Sequence, residues 1–208
     1  MGVAADERQA LSALLDELGP DQPTLCEGWR TRDLAAHLVL REHRPDAAAG
    51  IVVPALASYT KKVQDGYAAK PWAELVAQVR SGPAWYWPTR VGPLDELANG
   101  AEFLVHHEDV RRGQPNWEPR RSDPARDATA WRSVKAMAKL SLRRSPAGVV
   151  LRTDTGEEVT AKAGNPAVTV VGAPVELLLF TFGRNAVRAE FEGDPDDVAK
   201  LAALSRGL

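Results

Sequence analysis

The chain has one cysteine, Cys26, among its 208 residues. No internal disulfide can form, which fits a reducing compartment. No run of about 18 apolar residues is present that could span a bilayer. The opening residues MGVAADERQA lack the apolar core of a signal peptide, and Asp6 stands where a myristoylation signal needs Ser or Thr. These absences predict a cytoplasmic protein with no membrane partner. Neither sign of charge is in excess: 28 acidic residues face 26 basic ones, for a net charge of −2. Nothing therefore points to nucleic acid, and pairs such as Arg120–Arg121 and Arg143–Arg144 read as solvated faces. There is no internal repeat, no low-complexity segment and no H-E-x-x-H zinc motif.

What is there is ordinary for a soluble globular protein: 44% hydrophobic and 26% charged residues, long enough to bury a real core in one large domain or two small ones. Residues 5–18 predict a helix, with Leu11, Leu14, Leu15 and Leu18 as its stripe and Gly19-Pro20 as its stop. Thr31 is the expected N-cap of a second helix that His43-Arg44-Pro45 breaks, with Trp29 as a lid at the bundle end. A third helix is expected over Pro54–Gln64 with Leu56, Tyr59 and Val63 inward, and a fourth from Pro71 with Trp72, Leu75, Val76 and Val79 inward. Trp85, Tyr86 and Trp87 follow in a Pro-rich loop that either walls a pocket or plugs the bundle end.

The longest helical pattern is LDELANGAEFLVHHEDVRRG, Leu94 to Gly113, with Pro93 suited to its first turn and Gly113 to its stop. Leu94, Leu97, Ala101 and Leu104 predict its buried stripe. A further helix from Asp123-Pro124 would bury Ala128, Trp131, Ala138, Leu142 and the stem of Lys135. After Gly148 the period changes from helical to alternating. Val149, Leu151 and Thr153, then Val159 and Ala161, predict a hairpin. Ala167–Gly172 predicts a third strand, Pro174–Phe182 an apolar helix, Val187, Ala189 and Phe191 a fourth strand, and Asp194-Pro195 the start of a last helix. The fold class expected is α+β: a helical domain over 1–143, then a small α+β domain over 144–208.

Glu102 and His106 lie four residues apart, so they leave the long helix on one face. They are either an ion pair or two ligands of one metal. His37 lies between Leu34 and Leu38, and a helix that buries both leucines turns it inward. It would complete a three-ligand site of two His and one Glu, with room for water or substrate. Asp109, one turn on, is placed to orient a ligand. His107 should point away, His43 reads as exposed, and Cys26 reads as a small hydrophobe.

Three groups of residues carry a resemblance: Cys26-x-Gly28-Trp29 leading into Asp33-Leu34-x-x-His37-Leu38; Glu102-x-x-x-His106 followed by His107-x-Asp109-Val110; and, in the C-terminal third, GVVLRTDTGEEV with Gly183-Arg184 and Gly193-Asp194. The chain resembles the DinB-like metal-binding helical-bundle superfamily, in its mycothiol-dependent maleylpyruvate isomerase-like branch and an uncharacterised actinobacterial metal-binding subgroup of it. The resemblance implies a DinB-like up-and-down four-helix bundle followed by a sterol-carrier-like small domain. It implies metal ligands at His37, Glu102 and His106, and a substrate-binding arginine for which Arg184 is the candidate. Two His and one carboxylate suit a divalent metal, zinc first, with nickel or iron as alternatives, and the resemblance implies a small thiol, mycothiol or bacillithiol, as cosubstrate.

The function so implied is a metal-dependent enzyme that uses a low-molecular-weight thiol for transfer to, or isomerisation of, a small electrophilic substrate, working as a monomer or homodimer. Two alternatives stand beside it: a metal-dependent hydrolase using metal-bound water, and a non-enzymatic metal- or ligand-binding module. No residue is singled out as the catalytic acid or base.

Overall fold

In the computed structural model, residues 2–83, 92–204 and 206 are described. Trp85, Tyr86 and Trp87 lie outside the described residues. The order is helices first, strands after: α1 (Val3–Leu18), α2 (Thr31–His43), a short α3 (Pro45–Ala48), α4 (Ala57–Ala68), α5 (Trp72–Ser81), α6 (Gly92–Arg112) and α7 (Pro124–Ser141), then β1 (Gly148–Thr153), β2 (Glu158–Lys162), β3 (Ala167–Gly172), α8 (Pro174–Thr181), β4 (Ala189–Glu192) and α9 (Pro195–Ala202). This is the mixed α+β class expected.

The chain divides into two compact units, Met1–Glu118 and Pro119–Leu208. In the first, α1 packs on α5 and α6, and α2 packs on α4 and α5. Leu11, Leu15, Leu34, Leu38, Leu75, Val76, Val79 and Phe103 fill its core. Several details depart from the sequence expectation. Thr31 is not the cap of α2. Arg30 is, and its backbone N–H donates to the Asp33 carboxylate at 2.9 Å, while the Thr31 hydroxyl donates to Gly19 O at 2.6 Å. Helix α4 forms, but Leu56 and Tyr59 are exposed and Thr60 is its buried residue. His43 is half-buried rather than exposed.

The largest departure is in α6. Leu94 and Leu97 are exposed, Leu97 by 78%, although Leu104 is buried as expected. The N-terminal half of the helix turns polar groups inward instead. Asp95 and Asn99 join Arg8 of α1 and Glu42 of α2 in a buried network: Arg8 bonds Glu42 at 2.6 Å and Asp95 at 3.0 Å, and Asn99 bonds Asp95 at 2.7 Å. The Arg8 guanidinium meets both carboxylates and the Asn99 amide donates to them, so burial is tolerated without an apolar stripe.

In the second unit the sheet order is β2-β1-β3-β4, with β1–β3 parallel and the other two pairings antiparallel. Val149, Leu151, Thr153, Ala161, Val168 and Val170 are buried. α8 packs on β1 and β3, and is buried along nearly all its length, which an apolar helix requires. Val187 falls outside β4, because the next backbone N–H, that of Arg188, donates to the Glu176 carboxylate at 2.7 Å instead of to a strand. α7 packs on α8 and β2, and its buried residue near the expected Lys135 is Val134. The division between the two compact units falls before α7, between Glu118 and Pro119. Trp131 of α7 donates to Glu157 at 2.7 Å within the second unit.

Candidate metal centre

α2 and α6 supply the site. Leu34 and Leu38 are both buried, and His37 between them is 7% exposed. The spacing argument is met on α6 as well: Glu102 and His106 leave the same face. Glu102 Oε1 lies 3.3 Å from His37 Nε2 and 3.3 Å from His106 Nε2. The three donor atoms all lie within 4.8 Å of one another. Ligand bonds of about 2.1 Å to a divalent ion separate neighbouring donors by roughly 3.0–3.4 Å. The residues therefore fit a metal with small adjustment.

The neighbours of the three donors set their charge. Burial pushes the His37 imidazole below the usual range, so it is neutral near pH 7. Burial alone would raise the Glu102 carboxyl. The bonds to His106 and His37, with the charge of Arg41, hold it well below instead. Burial alone would lower His106, but Asp109, Cys26 and Glu102 raise it well above the usual value. The metal-free site thus carries a carboxylate, a neutral imidazole and an imidazolium, and a bound metal ion would replace the proton on His106.

Asp109 is fully buried, and its Oδ2 lies 2.9 Å from His106 Nδ1. With Nδ1–H donating there, His106 Nε2 faces Glu102, and loss of the Nε2 proton would leave that nitrogen's lone pair for a metal, the usual arrangement behind a metal-bound imidazole. His107 turns to α1, where its Nδ1 meets Glu7 at 2.7 Å, so it faces away from the three donors yet is buried.

Three neighbours were not anticipated as site residues. Arg41 sits with Nε 3.3 Å from Glu102 Oε1. It is four residues after His37, so the same i,i+4 rule could have found it. The Trp29 ring lies 5.1 Å from that of His37. The sulfur of Cys26 lies 3.2 Å from Asp109 Oδ2 and 3.9 Å from His106 Nδ1. Trp29 and Cys26 are marked only by the resemblance and not by a helical spacing, because both come from the loop before α2. Arg184 belongs to the second unit, just after α8, and donates through Nη1 to Phe182 O at 2.6 Å.

No protein-family model matches the sequence, and no curated protein does either. Solved structures do. The crystal structure of the mycothiol-dependent maleylpyruvate isomerase superposes with a TM-score of 0.59 at 16% identity, covering 92% of this chain and 91% of that one. A variant of that enzyme with one histidine replaced by alanine gives 0.58 at 16% identity, covering 93% of each chain. Over nine-tenths of its length, this chain has the fold of the mycothiol-dependent maleylpyruvate isomerase.

Proposed function

We propose that the chain is a metal-dependent enzyme in which a low-molecular-weight thiol of the mycothiol kind attacks a small electrophilic substrate, giving isomerisation or thiol transfer. The observation that carries this reading is the meeting of His37, Glu102 and His106 around one point, with Asp109 behind His106. The similarity in fold to a mycothiol-dependent isomerase supports the thiol as cosubstrate. A divalent ion, zinc by the donor set, would lower the pKa of a thiol and present it as a thiolate near neutral pH.

The chain's own residues do the rest. His37 offers a neutral nitrogen, Glu102 an ionised oxygen, and Asp109 holds the His106 ring in one orientation. Arg41 offsets part of the Glu102 charge, which leaves more of the ion's positive charge for the thiol. In the same reading the first unit is a DinB-like up-and-down four-helix bundle and the second a sterol-carrier-like domain. Arg184 there would bind a carboxylate of substrate or thiol.

Elemental analysis of untagged protein tests the site. About one equivalent of zinc, or of nickel or iron, is expected in the parent, strongly reduced in His37→Ala and His106→Ala. A metal-free parent, even after reconstitution, would remove the basis of the reading. Arg184→Ala is expected to keep its metal and lose turnover with a thiol and an electrophile. Unchanged turnover would clear Arg184 of any role.

A further inference from the structure

The loop before α2 grips the centre from behind. Leu25 N–H donates to the backbone oxygen of Asp109 at 3.0 Å. The next residue, Cys26, donates its S–H to the Asp109 carboxylate at 3.2 Å. Two consecutive residues therefore hold Asp109 at both its backbone and its side chain. The oxygen that Cys26 reaches, Oδ2, is the one that meets His106 Nδ1 at 2.9 Å. Two donors on one carboxylate oxygen fix its rotation, and Asp109 is fully buried, where such bonds are strongest.

The loop is itself fixed. Thr24 Oγ1 accepts from Cys26 N–H at 3.2 Å and donates to Trp29 O at 2.9 Å, and Trp29 N–H donates to Cys26 O at 2.9 Å. Cys26 is thus held at a set place, where it also packs against the core.

We infer that Cys26 is a positioning residue for the metal centre, acting through Asp109 on His106, with its sulfur outside the ligand set. The inference rests on the metal reading above. The chain of bonds runs Cys26 S–H to Asp109 Oδ2, and His106 Nδ1–H to the same atom, which leaves His106 Nε2 to the metal. Loss of the thiol removes one of the donors that hold the Asp109 carboxylate and so loosens the ring that it orients.

The test measures zinc affinity by chelator competition in the parent, Cys26→Ser, Cys26→Ala, Asp109→Asn and the Cys26→Ala/Asp109→Asn double variant, each checked for folding by its thermal transition. Removing a direct partner of a metal-bound imidazole weakens binding about 10–100-fold. Cys26 stands one bond further out, so Cys26→Ala should fall at the low end, about tenfold. Cys26→Ser keeps a donor and should restore most of the affinity. Adding Cys26→Ala to Asp109→Asn should change nothing more, because the path through Asp109 is already cut.

The inference is overturned if Cys26→Ala binds zinc like the parent, or if its effect adds fully to that of Asp109→Asn. It is also overturned if cobalt-loaded parent shows a thiolate-to-cobalt charge-transfer band, which would make Cys26 a ligand. A parent that binds no zinc at all would instead overturn the metal reading itself, and this inference with it.

Discussion

Arg8 shows what single residues contribute away from the metal donors. Its guanidinium sits 4.4 Å from the Phe103 ring centre and bonds both Glu42 and Asp95. The Glu42 side chain is 3% exposed. Burial pushes its carboxyl above the usual 4.5, although Arg8 opposes the rise. A carboxyl with a raised folded pKa favours the fold below its unfolded value, and that contribution is lost as pH rises through the folded value. At neutral pH, then, the charge on Glu42 is tolerated because Arg8 is there. Arg8→Met strands the buried Glu42 carboxylate and the half-buried Asp95 one, and should cost about 3–5 kcal/mol at pH 7. The loss should shrink by pH 4.5, because the Glu42 carboxyl, held above that value, has by then taken up a proton. Glu42→Gln should be nearly neutral at pH 7. Denaturant unfolding at both pH values reads this directly, and an Arg8→Met loss that grows in acid would contradict it.

At the scale of elements, the helices and strands were legible because their signals are local: Gly19-Pro20, Pro71, Gly113 and Asp194-Pro195 mark ends that the structure respects within a residue or two. Which face each helix buries was less so. The pair Leu94 and Leu97 satisfies the helical spacing but points out, since Asp95 and Asn99 find Arg8 and Glu42 across 50 residues or more of sequence. No periodicity encodes that kind of partner. The same limit applies at the site. Glu102 and His106 could be read from one helix and His37 from the leucines beside it. Cys26 could not, because only the folded loop brings it to Asp109.

That loop depends on Gly113. A Cβ there would lie 2.4 Å from Pro23 O and 2.8 Å from Thr24 Cα, both backbone atoms. Gln114 then ties the same turn by donating to Pro23 O at 3.0 Å. Gly113→Ala must push the loop off α6, which should cost about 1–3 kcal/mol and lower Tm by several degrees. Zinc affinity should fall with it, since Cys26 and Trp29 ride on that loop. An unchanged Tm in calorimetry would show that the loop moves freely.

Across the whole molecule, the donors and their support all precede Glu118: His37, Glu102, His106, Asp109 and Cys26 belong to the first compact unit, while Arg184 belongs to the second. Metal binding and turnover should therefore separate. A chain of residues 1–118 is expected to bind zinc as the full chain does and to lack turnover. A chain of residues 1–143 carries α7 without α8 and β2, the elements of its own unit on which it packs. Trp131, Val134 and Ala138, buried in the full chain, would lose that cover, and an exposed apolar stripe of this kind favours association. Size-exclusion chromatography with light scattering should then find 1–118 monodisperse and 1–143 aggregated. The reverse result would place the true boundary after α7. A well-folded 1–118 that cannot hold zinc would mean that the centre draws on the second unit for its assembly.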